Sequence, residues 1–176
     1  MKLDFELFRK YSNKLYLTKY RNNGINILGD YMFEYCELTK NELPLLLELY
    51  RQLNPNDDII NDMDLKIIWD KIINKNIKYF IAKDNRRVIA SCYICIIPNL
   101  TRNGKSIGFI QNIITDKEYR KKGIGKNIVE NAIEYAKTQN CYKVVLQSGN
   151  KRTDAHKFYE SLGFNGESKK AFEIRF

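Results

Sequence analysis

A chain of 176 residues, 44% hydrophobic and 29% charged, fits one globular domain with a short appendage and excludes a disordered or collagen-like polymer. Its 30 Lys and Arg against 21 Asp and Glu leave a net charge of +9, which favours a polyanionic partner (nucleic acid, a membrane surface or a phosphorylated small molecule) without choosing among them. The longest mostly apolar run, Val88 to Ile97, is interrupted by Ser91 and is too short for the ~20 residues that a bilayer requires. Asp4 and Glu6 break the apolar core that a signal peptide needs, so a cytoplasmic protein without a membrane partner is expected. Cys36, Cys92, Cys95 and Cys141 form no dense disulfide framework, and reduced thiols are expected.

Leu7, Tyr11 and Leu15 recur every fourth residue and predict a short amphipathic helix, followed by an irregular Asn/Gly stretch. Residues 1–31 therefore read as an N-terminal appendage, and 32–176 as the domain. Met32–Leu38 reads as a strand. Thr39 and Glu42 match a capping box for a helix running to about Leu53, while Asn41 is a rival cap that leaves Pro44 in the first turn. Leu65, Ile68 and Ile72 around Trp69 predict a second helix. Tyr79–Lys83, Val88–Ile97 and Ser106–Thr115 then read as an antiparallel meander, with turns at Asp84-Asn85 and Asn103-Gly104. In such a strand Cys92 and Cys95 face opposite sides of the sheet, which points to packing and not to a shared metal or redox pair.

The most informative segment is the strand Ile107–Thr115, which runs through 116–119 into Arg120-Lys121-Lys122-Gly123-Ile124-Gly125 and then a helix. Ile124, Ile128, Ala132 and Ala136 step by four, with Val129 and Ile133 widening the stripe, and Cys141–Gln147 is a strand after it. A last helix over about Thr153–Leu162 buries Ala155, Phe158, Tyr159 and Leu162, stops at Gly163, and leads to a final strand with Phe172, Ile174 and Phe176 on one face. In the loop 120–125, glycines let a ligand approach the backbone while the first free N–H groups of the helix point outward. Arg120, Lys121, Lys122 and Lys126 surround that seat, a charge that suits a pyrophosphate. A plain turn before a helix is the alternative. The spacing fits neither a Walker loop nor a Rossmann fingerprint, whose third glycine would stand at Ile128.

The run Gln111–Gly125, followed by His156-Lys157-Phe158-Tyr159-Glu160-Ser161-Leu162-Gly163-Phe164, resembles the GNAT superfamily of N-acetyltransferases. The family's Arg/Gln-x-x-Gly-x-Gly/Ala loop maps onto Arg120, Gly123 and Gly125. The resemblance covers about Met32 to Phe176 and implies an α/β fold, a twisted mixed sheet of about six to seven strands flanked by helices. Its strand ending near Thr115 would splay from the strand ending near Gln147 to admit acetyl-CoA. Carried over by position, the backbone of Ile113, Ile114 and Thr115 would bond the pantetheine. The loop Arg120, Lys121, Lys122, Gly123, Ile124, Gly125 and Lys126 would hold the pyrophosphate, with Phe158 and Tyr159 beside the coenzyme. Ile113 N–H would polarise the thioester carbonyl, and Tyr159 would protonate the departing thiolate; the other reading of Tyr159 is a core aromatic.

Gln111 departs from the pattern, because many members resembling this strand carry a Glu there that acts through water as general base. Keeping a lysine-type amine neutral at pH 7 costs about 4–5 kcal/mol, which an amide cannot supply. His156, the one histidine, reads as a surface or capping residue. The expectation is acetyl transfer from acetyl-CoA to a primary amine by direct attack in a ternary complex, without a metal. A second copy of the chain is kept as a candidate partner. The alternatives are a CoA-binding but catalytically silent regulator, and, with less support, a basic nucleic-acid-binding module.

Overall fold

The computed structural model describes residues 24–28, 31–72 and 76–176; the helix expected around Leu7–Leu15 lies outside them. Among the described residues six strands form one sheet in sequential order: β1 Gly24–Leu28, β2 Tyr31–Glu37, β3 Ile77–Asp84, β4 Arg87–Ile97, β5 Ser106–Thr115 and β6 Cys141–Leu146. Neighbours are antiparallel up to β5. The β5–β6 pair is parallel, as the crossover through an intervening helix requires. The described residues also form four α-helices: α1 Leu43–Tyr50, α2 Asp62–Ile72, α3 Ile124–Thr138 and α4 Thr153–Ser161.

The stretch read as irregular before residue 32 is corrected by β1, in which Gly24–Leu28 pairs with Tyr31–Tyr35; a five-residue edge strand containing Gly and Asn has too weak a propensity to announce itself. Of the rival caps of the first helix, Thr39 forms its capping box, whereas Asn41 lies within the turn and Glu42 stands at the N-cap of the α-helix. Thr39 N–H and Oγ1 each donate to Glu42 Oε2 at 2.8 Å around a 3₁₀ turn over Lys40–Glu42. The α-helix then starts at Leu43 with Pro44 in its first turn, where a missing N–H costs nothing.

The central strand β4 is buried continuously from Val88 to Cys92, the mark of a strand covered on both faces. On one face Phe80, Ala90, Cys92, Ile94 and Ile110 pack against Ile124, Ile128, Val129, Ala132 and Ala136 of α3. On the other, Ile81, Val88 and Ile114 meet Leu46 and Leu49 of α1. Gly108 permits the close seat of α3, since a Cβ there would lie 2.9 Å from Ile94 Cδ1 and 3.2 Å from Ala136 Cβ. Cys92 faces α3 with its Sγ 3.6 Å from Ile128 O, whereas Cys95 alternates to the other face.

The final strand is absent. Residues after Gly163 form no ladder, and Phe172, Ile174 and Phe176 are exposed. The left-handed Gly163 (φ 88°) and the turn in which Glu167 N–H donates to Asn165 Oδ1 at 2.9 Å redirect the chain after α4. Alternation supplies a strand with a face but not with a partner.

Candidate active site

The last paired residues of β5 and β6 are Ile110 and Leu146, yet β5 continues to Thr115 on β4 alone. A register shift opposite Ser91–Tyr93 and a left-handed Asn112 (φ 50°) mark a bulge there, which bends the strand and re-aims its backbone. The two strands therefore diverge. Their gap is a cleft of about 400 Å³ whose lining includes Gln111, Asn112, Ile113, Gln147, Arg152 and Tyr159, with Leu53 and Asn54 on the α1 side. Ile110, Gln111, Asn112 and Ile113 of β5 line this space, where β6 no longer pairs with the strand beyond Ile110.

At the end of β5 the chain enters α3 through Lys121 (φ 61°) and Gly123 (φ 74°). Gly123 is the N-cap and offers no side-chain cap, and the helical ladder begins with Asn127 N–H donating to Gly123 O at 3.1 Å. The N–H groups of Ile124, Gly125 and Lys126 are left without intrahelical acceptors, as at any helix start, and Gly123 brings no side chain to cap them. The two glycines do different work. Gly123 supplies the positive φ, while Gly125 supplies room, since a Cβ there would sit 2.8 Å from Thr115 Oγ1 and 3.7 Å from Phe158 Cζ. Strand end, helix start and α4 thus converge on one point.

Of the four expected cations, Arg120 donates from Nε to Thr115 O at 3.2 Å. Lys122 lies 4.9 Å over the Tyr119 ring, and Lys126 stands 3.8 Å from Glu130, an exposed pair of little energetic weight. Lys121 is exposed. Ile114 turns its side chain into the α1-side core, whereas Ile113 lines the cleft.

Asp116, between β5 and the loop, was not singled out by the sequence. It is 1% exposed and accepts from Arg87 Nη2 at 2.6 Å, Gln52 Nε2 at 2.9 Å and Glu118 N–H at 3.0 Å. Burial raises its pKa, but the Glu118 amide, Gln52 and Arg87 outweigh that and hold the carboxyl below its ordinary value. Tyr119 is fixed in turn, its hydroxyl donating to Asp84 Oδ2 at 2.7 Å. An Asp before a 3₁₀ turn is readable as a cap; Gln52 and Arg87 come from distant segments and are not.

Tyr159 is 7% exposed and held between Phe158 at 5.3 Å and Phe164 at 6.3 Å between ring centroids. Burial raises its pKa, with the Arg152 charge opposing, so the phenol stays protonated at neutral pH. His156 Nε2 donates to Gly149 O at 3.0 Å; it ties α4 to the preceding loop and is not part of the cleft lining. Among the described residues no group of three or more His, Cys, Asp or Glu side chains is placed to hold a metal ion.

A sequence model described as the Acetyltransferase (GNAT) family matches residues 43–164. The glucosamine 6-phosphate N-acetyltransferase of Trypanosoma brucei brucei is 34% identical over 92 residues, 52% of this chain and 60% of that protein. The glucosamine 6-phosphate N-acetyltransferase of Arabidopsis thaliana is 29% identical over 82 residues, 47% of this chain and 53% of that protein. The matches thus span little more than half the length of these curated relatives. The crystal structure of a Trypanosoma brucei acetyltransferase superposes with a TM-score of 0.72 at 27% identity, covering 81% of this chain and 99% of that one. Bulged strand, diverging neighbour and bare helix start stand within the matched residues, and the chain belongs to the GNAT acetyltransferase family.

Proposed function

We propose that this chain transfers the acetyl group of acetyl-CoA to a primary amine by direct attack within a ternary complex. The observation that carries the proposal is the divergence of β5 from β6 beyond Ile110 and Leu146, which opens a cleft, together with a start of α3 that has no side-chain cap. A strand-like pantetheine fits the first, and a pyrophosphate fits the second with its flanking Arg120, Lys121, Lys122 and Lys126. The family match and its acetyltransferase relatives support the same reading over that of a silent regulator.

In this reading Ile113 N–H donates to the thioester oxygen as the amine adds to the carbonyl carbon, stabilising charge that develops there. Collapse expels the thiolate, to which the protonated Tyr159 donates its proton, while the surplus proton on the new amide nitrogen passes to water, from which Tyr159 is reprotonated. Gln111 lines the cleft and orients by hydrogen bonding, since an amide takes no proton. The amine therefore reaches the carbonyl already neutral. Arg152 and Arg175 line the same cleft, which favours an acceptor carrying an anionic group, in keeping with the phosphorylated amino sugar of the trypanosomal and plant relatives. The four cysteines are free, which supports a reducing compartment such as the cytoplasm.

Two measurements test this. Acetyl-CoA at about 100 times its Kd should stabilise the fold by about 2.7 kcal/mol, and Gly123→Asp should abolish that shift by putting a charged, branched residue at a left-handed position facing phosphate. A screen of amines with a free-thiol readout should prefer glucosamine 6-phosphate to glucosamine by at least about tenfold. Undiminished acetyl-CoA binding in Gly123→Asp sinks the site; equal rates for the two sugars sink the anionic acceptor alone.

A further inference from the structure

Among the four described α-helices α2 alone buries no residue. One side of it is ordinary, with Leu65, Trp69 and Ile72 half-buried. The opposite side is not. There Ile60, Met63 and Ile67 follow one another at helical spacing and all are exposed, Met63 at 75%, while Ile59 just ahead of the helix is exposed at 82%. A single apolar side chain on a surface needs no explanation, but a contiguous patch marks something that docks. The same stretch is acidic: Asp57, Asp58, Asp62 and Asp64 stand together without a Lys or Arg among them. Two of these have local work, since Asp64 N–H donates to the capping Asn61 Oδ1 at 2.9 Å, and Asp62 and Asp64 suit the positive end of the helix. Asp57 and Asp58 lie ahead of that cap, exposed.

What covers an apolar face edged with carboxylates must itself be apolar and basic. A second copy presenting the same face fails this test, because a two-fold contact sets the four carboxylates against their own copies. Residues 1–23, which precede β1, pass it. They carry 6 Lys and Arg against Asp4 and Glu6, a net charge of +4. Leu3, Leu7, Tyr11 and Leu15 recur every fourth residue, with Lys10 and Lys14 on the flank of that stripe. Their reach is ample: 23 residues extend to about 75–80 Å, several times the radius of gyration of about 16 Å for a chain of this length. Tethering also holds the segment at an effective concentration in the millimolar range, far above that of a free partner. We infer that residues 1–23 dock on the exposed face of 57–67 in their own chain, the Leu/Tyr stripe on Ile59, Ile60, Met63 and Ile67, and Lys10 and Lys14 beside Asp57 and Asp58. Neither the cleft nor the loop 120–126 takes part, so failure of this docking leaves acetyl transfer standing.

The experiment is photo-crosslinking in the full chain, with Met63 replaced by p-benzoylphenylalanine and equal amounts of isotopically heavy and light protein mixed before irradiation. Mass spectrometry should place the cross-links within residues 1–23 and join heavy to heavy and light to light. Heavy-to-light cross-links, whether to residues 1–23 or to 57–67 of another copy, put a second copy on the face and overturn the inference. Cross-links confined to other segments, or none, overturn it too. The strength of docking is read by the rate of tryptic cleavage after Lys14. Neutralising Asp57 and Asp58 together, by Asp57→Asn and Asp58→Asn, should speed that cleavage by about fivefold, the equivalent of about 1 kcal/mol. An unchanged rate overturns the pairing of these charges with the N-terminal segment. A thermal melt checks that each variant is folded, and the same probe at Ile67 replaces that at Met63 if the first variant melts early.

Discussion

Replacing Tyr159 by Phe removes one oxygen from a ring whose other contacts survive. The ring is 7% exposed and packs against Phe158 and Phe164, and its hydroxyl makes no hydrogen bond to the protein among the described residues, although it borders the cleft. Deleting an oxygen with no protein partner leaves no orphan behind, so stability should stay within about 0.5 kcal/mol. The rate should not. Loss of a general acid typically costs about 10²–10⁴, or roughly 2.7–5.4 kcal/mol of transition-state stabilisation. A CoA thiolate resembles a free cysteine, with a pKa near about 8.5, and leaves partly unaided, which places the expected loss at the lower end, at least about tenfold in kcat. Thiol release under saturating acetyl-CoA and the best acceptor of the amine screen measures it, alongside a thermal melt and the Kd for acetyl-CoA. A Phe variant that turns over at the wild-type rate refutes the assignment and returns Tyr159 to the aromatic core; a variant that loses coenzyme affinity and rate together shows a binding role instead.

Gln111→Glu should change kcat/KM at pH 7 by less than about tenfold if the acceptor arrives neutral, and a far larger gain would show that a missing base limits the enzyme. Arg87→Ala should cost about 1–3 kcal/mol, below the 3–5 of a fully buried pair because Arg87 is half-exposed. The depressed pKa of Asp116 contributes stability that is present above the unfolded value of about 3.9 and lost as pH falls through the folded one. Without Arg87 the folded value climbs, so acid unfolding followed by circular dichroism should begin at higher pH; an unchanged acid limb would contradict the placement of that pair.

Where a residue's role depends on its own backbone or its immediate helix, the sequence was sufficient. The α3 stripe of Ile124, Ile128, Ala132 and Ala136, the loop at Arg120–Gly125 and the meander of β3 to β5 were all legible from period and turn chemistry. What escaped is what depends on distant partners. Nothing near Asp116 announces that Gln52 and Arg87 will meet its carboxylate, and nothing near Gly125 announces Thr115 Oγ1 at 2.8 Å from where its Cβ would be. The alternation of Phe172, Ile174 and Phe176 misled for the same reason: it defines a face, while a strand is a pairing. The bulge at Asn112, which re-aims the backbone of the cleft, has no local signature beyond an Asn able to adopt positive φ.

The amide at position 111 constrains the acceptor as well as the mechanism. A lysine-type amine, with a pKa near about 10.4, is neutral at pH 7 only at a cost of about 4–5 kcal/mol, whereas an α-amino group near about 7.7–8.0 costs about 1 kcal/mol. An enzyme that takes no proton from its acceptor inherits that difference in full, a factor of roughly 10²–10³ in the population able to attack. A carboxylate at 111 would compress this range by accepting the proton; Gln111 leaves it open. Across a series of acceptors of similar shape, kcat/KM at pH 7 should therefore fall about tenfold for each unit by which the amine pKa rises above 7, and for any one acceptor it should rise with pH, with slope one, up to that acceptor's own pKa. A series whose rates at pH 7 are independent of amine pKa, or a pH profile that breaks at the same value for every acceptor, would mean that some group of the protein receives the proton after all, and that group would have to lie within hydrogen-bond reach of the cleft between Gln111 and Tyr159.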